Sequence, residues 1–184
     1  MPLPVSAPQC GRCLRKAPPW DAAWAPFRYA WPLDRLETRF KFGRDLAAGR
    51  ALAQLWRHEN PRALPQLILP VPLHRHRLRQ RGYNQALELA RPLARSLRIP
   101  YRWDVLHRTR HTDAQTSLTA IERRRNLRNA FALRKDAQLP AHVVLLDDVF
   151  TTGTTLDECA RVLKRAGVER VDVWALARAP MPGR

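Results

Sequence analysis

Residues Asp147 to Thr155, D-D-V-F-T-T-G-T-T, constrain this chain more than any other stretch. They follow an apolar run, Val143-Val144-Leu145-Leu146, and open an amphipathic segment from Leu156 to Ala166. Leu156, Cys159, Ala160, Leu163 and Ala166 fall on one helical face. Gly167 follows where a left-handed cap would end the helix. Val171 to Leu176 then reads as a second apolar strand. Strand, turn, helix and strand within about forty residues make a βαβ unit, which requires a parallel sheet.

The same segment carries chemistry. Two carboxylates at a strand end, Asp147 and Asp148, can accept from two adjacent sugar hydroxyls. A turn of small hydroxyl residues at the positive end of a helix can hold a phosphate. A ribose bearing a phosphate satisfies both halves. The plainer reading is a strand-to-helix loop in which Thr caps the helix and the acids are solvated.

Charge narrows the partners. The chain has 33 basic and 16 acidic residues, a net +17. Residues 75–128 hold 14 Arg against 4 acidic residues, whereas residues 141–184 hold six of each sign. The excess therefore sits in the middle of the chain, away from the paired acids. Such a field attracts phosphate, on a small ligand or on single-stranded DNA; a general preference for Arg explains it equally. No apolar run approaches the ~20 residues of a membrane span. The N-terminus lacks the pattern of a secretory signal. Three cysteines form no disulfide framework, so a cytoplasmic location is expected.

Along the chain, Trp20 to Trp31 reads as an aromatic, Pro-rich linker. Leu33, Leu36 and Phe40 have helical spacing, and Asp45 is placed to cap a second helix. Gln66 to Val71 is the expected first core strand, and a helix follows from about Gln85, with a kink expected at Pro92. Tyr101 to Leu106 and Ala130 to Leu133 read as further strands, the latter rejoining the sheet. Between them, His107 to Asn129 is Arg-rich and poor in large apolar residues, either a lid or a solvated basic helix. Cys10 and Cys13 form half of a zinc knuckle, two ligands short of a structural site. His58, His74 and His76 are unsupported as the missing ligands.

The D-D-V-F-T-T-G-T-T segment resembles the motif with which type I phosphoribosyltransferases bind 5-phosphoribosyl 1-pyrophosphate (PRPP). Three further blocks precede it: Y-A-W-P-L-D-R-L with K-F-G-R-D-L-A, L-P-V-P-L-H-R-H-R-L-R-Q-R-G-Y-N-Q, and Q-T-S-L-T-A-I-E-R-R-R-N-L-R-N-A-F. In this order they look like the ComF family, phosphoribosyltransferase-like proteins associated with natural competence and DNA uptake. The resemblance spans roughly Cys10 to Arg178.

It implies an α/β fold, a parallel sheet flanked by helices. Residues 1–64 would form a small N-terminal hood with the zinc-knuckle remnant, and residues 65–184 the phosphoribosyltransferase-like domain. Asp147 and Asp148 would bind the ribose, and Thr151, Thr152, Gly153, Thr154 and Thr155 the 5′-phosphate. The pyrophosphate loop would be Pro72 to Gln85, with Arg79, Arg81 and Gly82 as its candidates. If that stretch is extended, its arginines alternate between two faces. Gln115, Arg123, Arg124, Arg125 and Asn126 would belong to a flexible loop that closes over PRPP. Mg²⁺ would accompany PRPP. Zn²⁺ would require the family's first C-x-x-C pair, which would lie upstream of Met1. The implied reaction is phosphoribosyl transfer with release of pyrophosphate. The alternative is a non-catalytic module that senses PRPP or binds single-stranded DNA and DNA-uptake proteins. The hood tryptophans, Trp20, Trp24, Trp31 and Trp56, would stack on a base or fill a small core.

Overall fold

The computed structural model describes residues 11–59, 61–109 and 129–180. The elements run α1 (Gly11–Arg15), β1 (Ala22–Trp24), β2 (Phe27–Arg28), α2 (Leu33–Phe42), α3 (Leu46–Arg57), β3 (Leu67–Pro70) and α4 (Arg75–Arg81). They continue with α5 (Gln85–Leu97), β4 (Leu106–Arg108), β5 (Phe131–Leu133), β6 (His142–Phe150), α6 (Thr154–Arg165) and β7 (Arg170–Arg178).

The main sheet has the order β1-β7-β6-β3, all pairs parallel, with β2 also parallel to β7. Tyr101 adds a parallel bridge to Ile68 on the outer side of β3. Alternation along β6 splits the core in two. Val143 and Leu145 join the face under α6, together with Leu156, Cys159, Ala160 and Leu163. Val144 and Leu146 join the face under α2, α3 and α5, with Phe40, Leu52, Trp56, Leu89 and Leu93. Helices thus cover both faces, as a buried parallel sheet requires.

Several local expectations hold. The Asp45 side chain accepts from the Ala48 amide at 3.0 Å and caps α3. Asn84 caps α5 in the same way and also donates to the Val71 carbonyl. Helix α5 continues through Pro92 to Leu97. Gly167 sits at φ +89° behind α6.

Four expectations need correction. The stretch from Trp20 to Trp31 is not an irregular linker: β1 and β2 extend the main sheet along β7. Trp24 packs edge-on against Trp174 and tilted against Trp56, so these rings fill core. Tyr101 to Leu106 is not a continuous strand. Arg102 pairs in a fork with Asp104, and β4 begins only at Leu106. β5 does not rejoin the main sheet; it pairs antiparallel with β4 as a separate ribbon. Finally, residues 75–81 are helical, so their arginines do not alternate. Arg75 and Arg79 share one side of α4, Arg77 and Arg81 another.

Candidate functional site

The sheet order places a topological switch between β3 and β6. From β3 the chain crosses outward through α4 and α5 to Tyr101; from β6 it crosses the other way through α6 to β7. Ligands of open α/β sheets gather outside the strand ends at such a point. Here those ends carry Val71 to His74 on one side and Asp147 to Thr155 on the other.

After β6 the chain turns at Gly153, whose φ of +76° is left-handed. A Cβ there would lie 2.4 Å from the Phe150 ring, so only glycine fits. Phe150 is itself fixed edge-on against Trp20, and Arg178 lies over its ring at 4.1 Å. Arg178 also donates to the Phe150 and Thr151 carbonyls at 3.1 and 2.5 Å. α6 starts at Thr154, and Gly153 supplies no side-chain cap. The Thr152 and Thr154 hydroxyls are 2.9 Å apart. The five residues from Thr151 to Thr155 thus come together around the positive end of α6. Gly153→Ala is expected to cost about 1–3 kcal/mol, read as a lower urea midpoint.

The two acids point to opposite faces of β6. Asp147 continues the Val143/Leu145 face, where Cys159 and Arg108 are its electrostatic neighbours. Asp148 continues the Val144/Leu146 face and meets α2. Lys41 Nζ lies 2.8 Å from Asp148 Oδ2 and 3.4 Å from Glu37 Oε1. Asp148 Oδ1 accepts from the Val149 amide at 2.7 Å, and Asp147 Oδ1 from the Asp148 amide at 2.9 Å.

Burial and charge set the protonation of this cluster. Burial would raise the Asp148 carboxyl, but Lys41, the Glu37 side chain and the Val149 amide together hold it below the usual range. Burial would lower Lys41, but Asp148 and then Glu37 lift it above an ordinary lysine. Glu37 is wholly buried. Burial, then the Asp148 charge, push it up to about 8. Burial and then Asp148 also raise Asp147, to about 7. Cys159 is raised well above a free thiol, first by burial and then by Asp147.

The leaving-group candidates fall less centrally. Arg79 is exposed. Arg81 donates to Gln85 Oε1 at 3.1 Å and lies over the Phe42 ring. Gly82, at φ +85°, is the left-handed cap of α4. An arginine that the sequence put only in the basic segment from His107 to Asn129 neighbours Asp147. Arg108 of β4 interacts electrostatically with both Arg77 and Asp147, and burial followed by Arg77 lowers its pKa. Gln115, Arg123, Arg124, Arg125, Asn126 and Cys10 lie outside the described residues. Cys13 sits on α1, half-buried. Cys159 is fully buried in the core, and no group of three or more His, Cys, Asp or Glu side chains suited to a metal occurs among the described residues.

Lys41 and Glu37 are the other residues the sequence reading missed. Their signal was present: they are four apart and fall within the apolar stripe of Leu33, Leu36 and Phe40. A charged pair on a buried stripe points to a buried partner.

The phosphoribosyl transferase domain family matches residues 84–182, more than half of the chain. Competence protein F of Haemophilus influenzae is 42% identical over 96% of this chain and 81% of its own length.

The chain belongs to the ComF family.

A second member, the DNA utilization protein YhgH of Escherichia coli O157:H7, is 40% identical over 97% of this chain and 81% of its own. Among solved structures, the glutamine PRPP amidotransferase of B. subtilis, complexed with ADP and GMP, aligns with a TM-score of 0.47 and 20% identity. That alignment covers 70% of this chain and 26% of the other. As in this family's domain, the fold is that of a type I phosphoribosyltransferase, a parallel sheet flanked by helices. The family match begins at Asn84, so α2, β3 and α4 lie outside it.

Proposed function

We propose that this ComF protein binds PRPP with Mg²⁺ at the β3/β6 switch and transfers its phosphoribosyl group, releasing pyrophosphate. One observation carries the reading: paired acids, a glycine-only turn and an uncapped helix start stand in sequence at the carboxyl end of β6. Asp147 and Asp148 take the ribose hydroxyls. The α6 amides and the hydroxyls of Thr151, Thr152, Thr154 and Thr155 take the 5′-phosphate. The pyrophosphate end falls to the α4 segment, with Arg79, Arg81 and Gly82, and to Arg108, an electrostatic neighbour of both Asp147 and Arg77. An arginine pairs phosphate oxygens bidentately and steadies the charge that builds on a leaving pyrophosphate.

The donor set fits Mg²⁺. Asp147, a hard carboxylate with some exposure, is available at the strand end, and Mg²⁺ keeps waters and substrate oxygens rather than a protein cage. When bound, the ion would neutralise pyrophosphate charge. The chain's own residues orient the ribose and exclude solvent from one side of it.

Calorimetry of the full chain with PRPP and Mg²⁺ tests this. Binding is expected in the wild type and is expected to vanish in Asp147→Asn/Asp148→Asn; unchanged affinity in that double variant sinks the proposal.

The names of the relatives, competence protein and DNA utilization protein, support a role in a pathway linked to DNA uptake. The basic middle of the chain favours a second reading, in which PRPP is sensed and single-stranded DNA or a DNA-uptake protein is the partner. Affinity for a single-stranded oligonucleotide would then fall steeply with salt. Replacing Arg123, Arg124 and Arg125 by Ala would weaken it. Salt-insensitive binding would exclude this reading.

A further inference from the structure

We propose that Arg178 is a positioning residue: from the end of β7 it draws the carbonyls of the turn after β6 to its own side, and so aims the Thr151 and Thr152 amides at the 5′-phosphate. This deepens the PRPP reading above and rests on it for its functional consequence.

The contacts converge on one turn. Arg178 Nη1 donates to the Phe150 carbonyl at 3.1 Å and to the Thr151 carbonyl at 2.5 Å. Its guanidinium lies over the Phe150 ring, 4.1 Å from the centroid. The Phe150 carbonyl also accepts from the Ala179 amide at 3.0 Å, so the backbone after β7 pulls the same way. Both peptide bonds that follow these carbonyls are trans. In a planar trans peptide the N–H lies opposite the C=O. The Thr151 and Thr152 amides therefore point away from Arg178. β6 lies between β7 and β3. With the Phe150 carbonyl turned to β7, the Thr151 amide faces the β3 side, where the switch point lies.

A second ring holds Phe150. Trp20 meets it edge-on at 5.9 Å, and Trp20 Nε1 donates to Asp157 Oδ1 at 3.0 Å in the first turn of α6. Phe150 in turn fills the space that a Cβ on residue 153 would need. Arg178, Phe150 and Trp20 thus form one stack that braces both the turn and the start of α6.

An arginine at the end of an apolar strand is most simply a solvated head on a stem that covers an aromatic ring. That role needs no hydrogen bond to the turn, and the stem alone fills it. Arg178 instead is half-buried and directs its N–H groups at two successive carbonyls. A planar guanidinium can lie flat on the ring while it does so, which a compact ammonium cannot. Its charge also sits at the negative ends of two peptide dipoles, so their positive ends are offered to a phosphate.

The test uses the full chain and two probes that reach opposite ends of the donor site: ribose 5-phosphate without metal, and inorganic pyrophosphate with Mg²⁺. In calorimetry, Arg178→Met is expected to weaken ribose 5-phosphate by roughly tenfold, the worth of one hydrogen bond to a charged group, and to leave pyrophosphate within about twofold. A role in stability alone would lower both. The second readout needs no ligand. The nitrogen-15 order parameters of the Thr151 and Thr152 amides are expected to fall from the ~0.85 of rigid backbone to below ~0.6 in Arg178→Met. Should Arg178→Met fail to fold, Arg178→Lys decides, with the same selective loss expected at smaller size. Unchanged ribose 5-phosphate affinity in the variant that folds, or equal loss of both probes, overturns the proposal. If wild type takes neither probe, the phosphoribosyl reading fails, and the order parameters alone decide: a turn as rigid in the variant as in wild type then overturns the role of Arg178.

Discussion

Replacing the two acids one at a time should give unlike results. Asp147→Asn is expected to cut PRPP affinity at least a hundredfold while changing unfolding free energy by less than about 1 kcal/mol. Asp147 lies on the β6 face away from α2, keeps some exposure, and holds its proton more readily than a free aspartate. An amide there loses an acceptor for the ribose but breaks no ion pair. Asp148→Asn removes the 2.8 Å partner of Lys41. Breaking a buried pair costs about 3–5 kcal/mol; Lys41 keeps some exposure and has Glu37 at 3.4 Å, so about 2–3 kcal/mol is expected here. Urea unfolding and calorimetry on the same two proteins check this. Equal stability losses, or a larger loss for Asp147→Asn, would contradict the division of the acids between two faces.

That division illustrates what the sequence made legible. The β6-turn-α6-β7 unit is local: apolar run, acids, glycine and helix stripe all lie within one window. Its pattern therefore determines it, down to the left-handed Gly167. Asp45 was legible for the same reason, since a cap acts over three residues. Strands β1 and β2 were not. They are three and two residues long, Pro26 separates them, and their partner β7 is some 150 positions away. Only tertiary pairing makes them strands. The helical state of residues 75–81 was hidden by their polarity. With five charged or amide residues in seven, α4 has no buried side and hence no apolar period to read. Lys41 and Glu37 were visible as charges on an apolar stripe, but their partner lay on a strand 107 positions away.

The buried cluster should also make stability depend on pH in an unusual direction. Glu37 titrates near 4.5 when exposed in the unfolded chain and at about 8 in the folded one. Between these values the native state binds more protons than the unfolded state. Stability therefore falls as pH rises through this window and levels off above pH 8. Asp147, also raised, adds the same sign in the lower part of the window. Asp148 acts oppositely, but only below the ordinary carboxylate range, and Lys41 keeps its charge past the lysine range. Glu37→Gln keeps the shape and the donor but has no proton to lose. It is expected to match wild type near pH 5 and to exceed it by on the order of 3 kcal/mol at pH 9. Urea unfolding at the two pH values measures the difference. Parallel curves for the two proteins would mean that Glu37 ionises freely in the fold.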